Sequence, residues 1–230
     1  MNFFKIIIIT FIVTLGVSIS VLGQVIKGEA LVGLNLTHVE GDEVSGFKKV
    51  GLNIGAGVLI PFKKNWDVSM EVVYNQKGAR QSDQYHDVDT LGAVTTGAYK
   101  LRLNYVEIPI LVHYTDKEFI TIGAGFSWGR LVGVQEWEHG KIVPTTTLNS
   151  NTYNKNDFSY IIDGRIRVKG PLKFGVRYQG SMAKIRTREF TNSEGGIVTT
   201  WTRDQFNRVL TFRLIYIFNE TQSKRNKPTE

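Results

Sequence analysis

The fold is decided by a stretch that reads WDVSMEVVYNQK from Trp66 to Lys77. Large apolar side chains alternate along it with polar ones, and successive side chains of a β-strand point to opposite faces. One face comprises Trp66, Val68, Met70, Val72 and Tyr74, and the other comprises Asp67, Ser69, Glu71, Val73 and Asn75. The stretch therefore predicts a strand with one apolar face and one face that is almost entirely polar.

The same period of two recurs about eight times between turn-rich segments. The predicted strands are residues 29–37, 52–60, 66–77, 99–114, 120–129, 158–168, 174–179 and 206–218. An even number of strands brings both chain ends to the same side. We therefore expect an all-β fold, a closed antiparallel eight-stranded transmembrane β-barrel with up-and-down meander topology.

The fourth predicted strand changes the parity of its apolar residues. Leu101, Leu103 and Tyr105 occupy odd positions, whereas the apolar residues from Ile108 onward occupy even ones. Because proline cannot donate to a β-ladder and is tolerated at bulges, a β-bulge near Glu107–Ile108–Pro109 is the predicted cause.

The connections between strands alternate in length. Short, turn-forming connections span residues 61–65, 115–117 and 169–171, and long polar ones span 38–48, 79–98, 133–156 and 184–204. Short periplasmic turns opposite long extracellular loops are typical of outer-membrane barrels.

The composition of the two faces predicts lipid outside and polar groups inside. The expected lumenal charge network, with a structural role, comprises Asp67, Glu71, Arg102, Glu107, Asp163, Arg165, Arg167, Arg177 and Arg213. The expected interfacial aromatics are Trp66, Tyr74, Tyr105, Tyr114, Trp128, Tyr178, Tyr216 and Phe218. A soluble lipocalin-like ligand-binding barrel is the alternative, but mixed charges on one face and aromatics near the strand ends favour the membrane.

The N-terminus has the pattern of a secretory signal peptide. Lys5 precedes an apolar run from Ile6 to Val17, and Gly23 supplies the small residue before a cleavage site. We expect residues 1–23 to be removed, residues 24–218 to form the barrel and residues 219–230 to be a polar, disordered periplasmic tail. The alternative, a retained anchor, lacks the basic cluster that stops transfer.

No feature of the sequence indicates catalysis or a cofactor. The net charge of +7 is dispersed without aromatic interleaving, so no nucleic-acid partner is expected, and the absence of cysteine excludes thiolate chemistry. The histidines, His38, His86, His113 and His139, lack metal-ligand spacing. We expect no metal, no cofactor and no enzyme.

The stretch LNYVEIPILV from Leu103 to Val112, with GLNL from Gly33 to Leu36 and Leu22-Gly23-Gln24, resembles the PorT-like outer-membrane β-barrel family. The resemblance spans essentially the whole mature chain and implies the fold and a location in the Gram-negative outer membrane. One branch of that family is associated with protein secretion.

The expected function is a structural, binding or assembly role carried by the extracellular loops. A narrow porin-like channel is the alternative, although an eight-stranded barrel is filled by its own side chains. The expected partners are outer-membrane lipids, the barrel-assembly machinery, which would recognise the last strand ending at Phe218, and an unknown extracellular or envelope partner.

Overall fold

The computed structural model describes residues 26–42, 44, 46–88, 92, 94–194 and 197–220. The expected signal peptide, the expected mature N-terminus at Gln24 and residues 221–230 of the expected tail lie outside these ranges. Within them, no helix has the length and apolar character that crossing a bilayer requires.

The described chain is built of β-strands connected in sequence order. The strands are β1 (Lys27–Glu40), β2 (Lys49–Lys63), β3 (Trp66–Lys77), β4 (Arg80–Gln81), β5 (Asp87–Val88), β6 (Val94–Thr95), β7 (Tyr99–Asp116), β8 (Ile120–Glu138), β9 (Lys141–Ile142), β10 (Asn156–Lys169), β11 (Leu172–Ser181), β12 (Arg186–Glu194) and β13 (Ile197–Ile217).

Eight of these strands form a closed antiparallel ring. The order is β7-β3-β2-β1-β13-β11-β10-β8, and pairing of β7 with β8 completes the circle. The first and last strands pair over Glu29–Ile217 to Glu40–Phe206, so no strand edge of the ring is left unpaired. The expected eight-stranded meander barrel is confirmed, and closure satisfies the backbone groups that hydrocarbon could not.

The outer surface of the ring is an apolar belt. Side chains at even positions of β1, β2, β3 and β7 point outward, and large ones remain strongly exposed, among them Leu34 at 56%, Val72 at 54% and Ile110 at 52%. The belt continues on β8 and β10 with Ile122 at 60% and Ile162 at 60%. An apolar exterior of this extent suits a barrel in lipid and contradicts the lipocalin-like alternative, whose apolar face would line the interior.

Several expected loops are strands that rise beyond the belt. β8 continues to Glu138, and β12 pairs with a long extension of β13 over residues 186–205, where 184–204 was expected to be a loop. The outward side chains of these extensions no longer face lipid, while Val134 and Glu136 of β8 are buried inside. The alternation that marks a strand in lipid is therefore absent from their sequences.

The expected β-bulge near Pro109 is wrong. β7 keeps one alternation from Tyr99 to Asp116, and the register shift falls between Asn104 and Tyr105 against β8, where Val132 is the additional residue. The pairing of β3 with β7 has the same register on both sides of Pro109, although Pro109 itself has no partner on β3. The parity of apolar residues changes because the inward positions of β7 are apolar from Tyr99 to Tyr105 and include the polar Glu107 and His113 farther on.

Candidate functional site in the barrel interior and at its extracellular end

The middle of the barrel interior holds a central cluster of buried ions. Its members are Glu29 on β1, Glu71 on β3, Asp163 and Arg165 on β10, Arg177 on β11 and Arg213 on β13, each at most 2% exposed. All occupy odd, inward-facing positions, so strand alternation alone brings them together. Carboxylates and guanidiniums are equal in number in this cluster.

Glu71 and Asp163 are the acceptors that join the cluster. Glu71 accepts hydrogen bonds from all three arginines, including two from Arg177 at 2.8 and 2.7 Å. Asp163 accepts from Arg165 at 2.6 Å, from Arg177 at 3.0 Å and from Arg213 at 2.6 Å. Taking ions out of water is costly unless charges are paired and hydrogen-bonded. Every ion of the cluster is paired, although Glu29 Oε1 and Arg213 Nε lack a hydrogen-bond partner in the described part of the chain.

An upper cluster lies closer to the extracellular end. The Lys77 ammonium sits 2.6 Å from a Glu107 oxygen and 3.0 Å from an Asp157 oxygen, and all three side chains are buried. Asn75 donates to Glu107 at 2.8 Å, and Asn207 donates to Asp157 at 3.0 Å. Asn75 thus reaches the Glu107 oxygen that Lys77 does not, whereas Asn207 shares one Asp157 oxygen with Lys77 and the Ser159 hydroxyl donates to the other.

An apolar cap closes the interior above the upper cluster. It comprises Val39, Val44, Ala79, Tyr99, Leu101, Leu103, Tyr105, Leu131, Val134, Tyr153 and Ile185. Leu101, Leu103 and Tyr105 are fully buried, and the Lys77 ammonium lies 5.0 Å from the centre of the Tyr105 ring. The described interior is filled by this cap, by the charged clusters below it and by a second apolar cluster of Leu31, Leu59, Val73, Ile215 and Ile217.

Two arginines of β12 anchor the extracellular hairpin, which β12 forms with the paired part of β13, to the cap. Arg186 donates to Glu136 at 3.0 Å and to the Tyr153 hydroxyl at 2.7 Å, and Arg188 donates to Glu138 at 2.8 Å. Burial and the neighbouring Glu136 carboxylate raise the pKa of Tyr153 to about 12. The phenol therefore stays neutral at physiological pH.

The structure separates the residues predicted for the lumen into three groups. Glu71, Glu107, Asp163, Arg165, Arg177 and Arg213 lie in the two clusters. Asp67 and Arg167 lie at the periplasmic mouth, where Arg167 donates to Glu220, a residue of the expected tail, at 2.6 Å. Placing Arg102 in the lumen was wrong, because its even position on β7 turns it outward toward Gln135.

The predicted interfacial aromatics face outward with one exception. Trp66, Trp128, Tyr216 and Phe218 are between 38% and 49% exposed, and Tyr74, Tyr114 and Tyr178 share their outward parity. The Trp66 and Tyr114 rings contact each other with centroids 5.1 Å apart. Tyr105 was assigned wrongly, since it is 0% exposed inside the cap.

Several interior residues were not predicted from the sequence. Glu29, Lys77, Asp157 and His113 are all buried at inward positions, and His113 lies 2.8 Å from the Ser69 hydroxyl. Glu29 and Lys77 stand at the ends of the predicted strands 29–37 and 66–77, at odd positions that the alternation assigns to the inner face. In the described part of the chain, no group of three or more potential ligands is arranged to hold a metal ion.

A closed eight-stranded ring with an apolar exterior and a charged interior defines an integral outer-membrane β-barrel. The chain belongs to the outer membrane protein beta-barrel domain family, whose model matches residues 10–185. It is therefore a protein of the outer membrane, with short periplasmic turns and long extracellular connections.

Several solved structures are similar to this chain at low sequence identity. Ail, the attachment invasion locus protein of Yersinia pestis, is 11% identical with a TM-score of 0.47, covering 84% of this chain and 98% of that chain. Neisserial surface protein A is 8% identical, with a TM-score of 0.43 and coverage of 83% and 94%. A major outer membrane protein from Thermus thermophilus is 11% identical, with a TM-score of 0.43 and coverage of 84% and 100%. No curated protein matches the sequence.

Proposed function

We propose that this protein is a non-enzymatic, non-conducting barrel that binds an envelope or extracellular partner through its extracellular connections. The observation that carries the proposal is a cavity of about 400 Å³ above the apolar cap, to which every extracellular connection contributes. Asp42, Tyr85, His139 and Arg188 come from the four connections in turn, and Phe190 adds an aromatic wall. Aromatic, cationic and acidic groups around one opening suit a polar partner with some apolar surface.

The filled interior supports a role without transport. The central cluster, the upper cluster and the apolar cap succeed one another along the barrel axis, and their side chains are almost fully buried. A solute would have to break several buried ion pairs to pass. Purified protein in a planar lipid bilayer is expected to give no steady single-channel conductance; a steady conductance would favour a narrow porin-like channel instead.

The finer assignment to the PorT-like branch forms part of the proposal. It rests on the stretch from Leu103 to Val112, and a link to protein secretion follows only from that branch. Assembly would use the barrel-assembly machinery, and export would use a signal peptide cleaved before Gln24. N-terminal sequencing of the protein purified from outer membranes tests the cleavage site.

The binding role is tested in cells that carry Arg188→Ala and Phe190→Ala together. We expect this variant to insert as wild type, judged by heat-dependent gel mobility, and to reproduce the adhesion, secretion or envelope-integrity defect of a gene deletion. Arg203→Ala and Thr202→Ala, on the same hairpin outside the cavity, form the matched control. A cavity variant that behaves as wild type where the deletion does not would refute binding at this cavity.

A further inference from the structure

A row of cations lies on the outer wall of the barrel, just above the apolar belt. Lys100 and Arg102 project outward from β7 and Arg130 from β8, at the even positions that carry Val106 and Ile110 lower on β7. Lys100 and Arg130 are exposed, and Arg102 is half-buried. We name these three residues the basic row.

The partners of the basic row are neutral. Arg102 donates to the Gln135 side-chain oxygen at 3.2 Å, and Arg130 donates to the Asn156 side-chain oxygen at 2.9 Å. The Lys100 ammonium lies 4.6 Å from the centre of the Trp137 ring. Each guanidinium has five N–H donors, so one bond to an amide orients it and leaves its charge and most donors available.

Two other outward cations at this end of the barrel are paired with carboxylates. Arg208 lies 2.6 Å from a Glu40 oxygen, and Lys184 lies 3.1 Å from an Asp204 oxygen. The basic row differs from these two cations: among the described residues its contacts are amides and an indole, and its positive charge is not compensated by an ion pair.

The surfaces below and above the row differ in chemistry. Val106, which pairs with Arg130, and Trp128, two residues below Arg130 on β8, are 39% and 41% exposed as part of the apolar belt. Above the row, Lys100, Arg80, Asp83 and Trp137 line an open cavity of about 540 Å³. Apolar wall, cations and an aromatic-polar cavity follow one another from the membrane toward the outside.

We propose that the basic row binds a phosphorylated glycolipid of the outer leaflet. Its phosphates would lie on Arg102 and Arg130, its acyl chains along Val106 and Trp128, and its sugars against Trp137 in the cavity. Guanidinium groups match phosphate oxygens in geometry and charge, and cations near the interface attract anionic headgroups. The three cations do not line the proposed partner cavity, although the cavity above the row shares Gln81, Ala98 and Tyr99 with it.

The experiment compares two lipids that differ in phosphate alone. The dissociation constants of bisphosphorylated lipid A and of dephosphorylated lipid A are measured for the full mature chain in mixed micelles by native mass spectrometry. We expect wild type to prefer the phosphorylated form by about tenfold or more, equivalent to one charge-assisted hydrogen bond. Arg102→Gln with Arg130→Gln should reduce that preference to less than about threefold.

A matched control removes equal charge at the periplasmic rim. Lys63→Gln with Lys169→Gln changes two exposed cations on the other side of the barrel and should keep the preference. Arg102→Lys with Arg130→Lys should keep part of the preference for phosphorylated lipid A, and added salt should weaken that preference in wild type. These two measurements keep the proposal testable if the glutamine variant inserts poorly. No preference in wild type, or an equal preference in wild type and the glutamine variant, would overturn the proposal.

Discussion

Glu71 on β3 and Arg177 on β11 form a two-point ion pair across the full width of the barrel. The oxygen–nitrogen distances are 2.8 and 2.7 Å, and the two strands stand opposite each other in the ring. Cross-barrel pairing of this kind connects strands that share no backbone hydrogen bonds. The charged interior thereby fixes the shape of the ring as well as filling it.

Replacing Glu71 by glutamine should strongly destabilise the barrel. The change removes the negative charge that three buried arginines share and leaves an uncompensated cation in the interior. We expect the free energy of unfolding to fall by about 3–5 kcal/mol. Urea titration of protein in lipid vesicles, followed by tryptophan fluorescence, measures this value.

The control for that experiment is Glu189→Gln on the exposed side of β12. It removes the same charge from a position in water, where a substitution typically changes stability by less than about 0.5 kcal/mol. Equal stability of the two variants would show that the central cluster does not hold the ring together.

The sequence predicted the ring and much of the central cluster because the belt imposes one rule on every strand. Lipid requires apolar side chains at each outward position, so the remaining positions identify the interior, as they do for Glu71, Asp163 and Arg177. The rule fails where lipid ends. Arg102 and Tyr105 lie on β7 at the extracellular limit of the apolar belt. The sequence pattern did not reveal which of them faces inward at that height.

The contacts within the interior could not be predicted from the sequence, for a different reason. Lys77 and Asp157 are distant in sequence, and they meet because β3 and β10 face each other across the ring. Alternation states which face a residue occupies, but it does not state its height or its partner. Those depend on the stagger between strands, which the closed barrel sets collectively.

Gly123 and Gly164 offer a paired test of inside against outside. A Cβ on Gly123 would overlap the His113 ring, whereas a Cβ on Gly164 would have its nearest neighbour, the Val176 carbonyl oxygen, at 3.9 Å. Gly123→Ala should lower the free energy of unfolding by about 1–3 kcal/mol through overpacking. Gly164→Ala should change it by less than about 1 kcal/mol, in the stabilising direction.

The same urea titration compares the two alanine variants, which lie on adjacent strands and carry the same chemical change. If Gly164→Ala proved the more damaging of the two, the assignment of inward and outward positions on β8 and β10 would be incorrect.

Arg186→Met should loosen the extracellular hairpin and spare the barrel. It removes the donors that bind Glu136 and the Tyr153 hydroxyl, which leaves a buried carboxylate with fewer partners. Losing charge-assisted bonds worth about 1.5–3 kcal/mol should raise the rate of thermolysin cleavage in the hairpin roughly 10- to 100-fold. Arg203→Met, an exposed change on the same hairpin, should leave that rate unchanged. Equal cleavage rates of both variants would show that Arg186 does not anchor the hairpin.

The tryptophans provide a test of where the bilayer lies on the wall. Trp66 and Trp128 are 38% and 41% exposed on the belt, whereas Trp201 stacks on Phe190 in the extracellular hairpin with centroids 6.0 Å apart. In variants that keep a single tryptophan, brominated acyl chains should quench Trp66 and Trp128 strongly and Trp201 very little, because bromine quenches only at short range. Aqueous iodide should quench Trp201 more than the other two. Aromatic residues at a barrel's interfaces mark the limits of the hydrocarbon. Comparable quenching of Trp201 and Trp128 by the acyl chains would therefore place the hairpin in the membrane and contradict the position of the bilayer at the apolar belt.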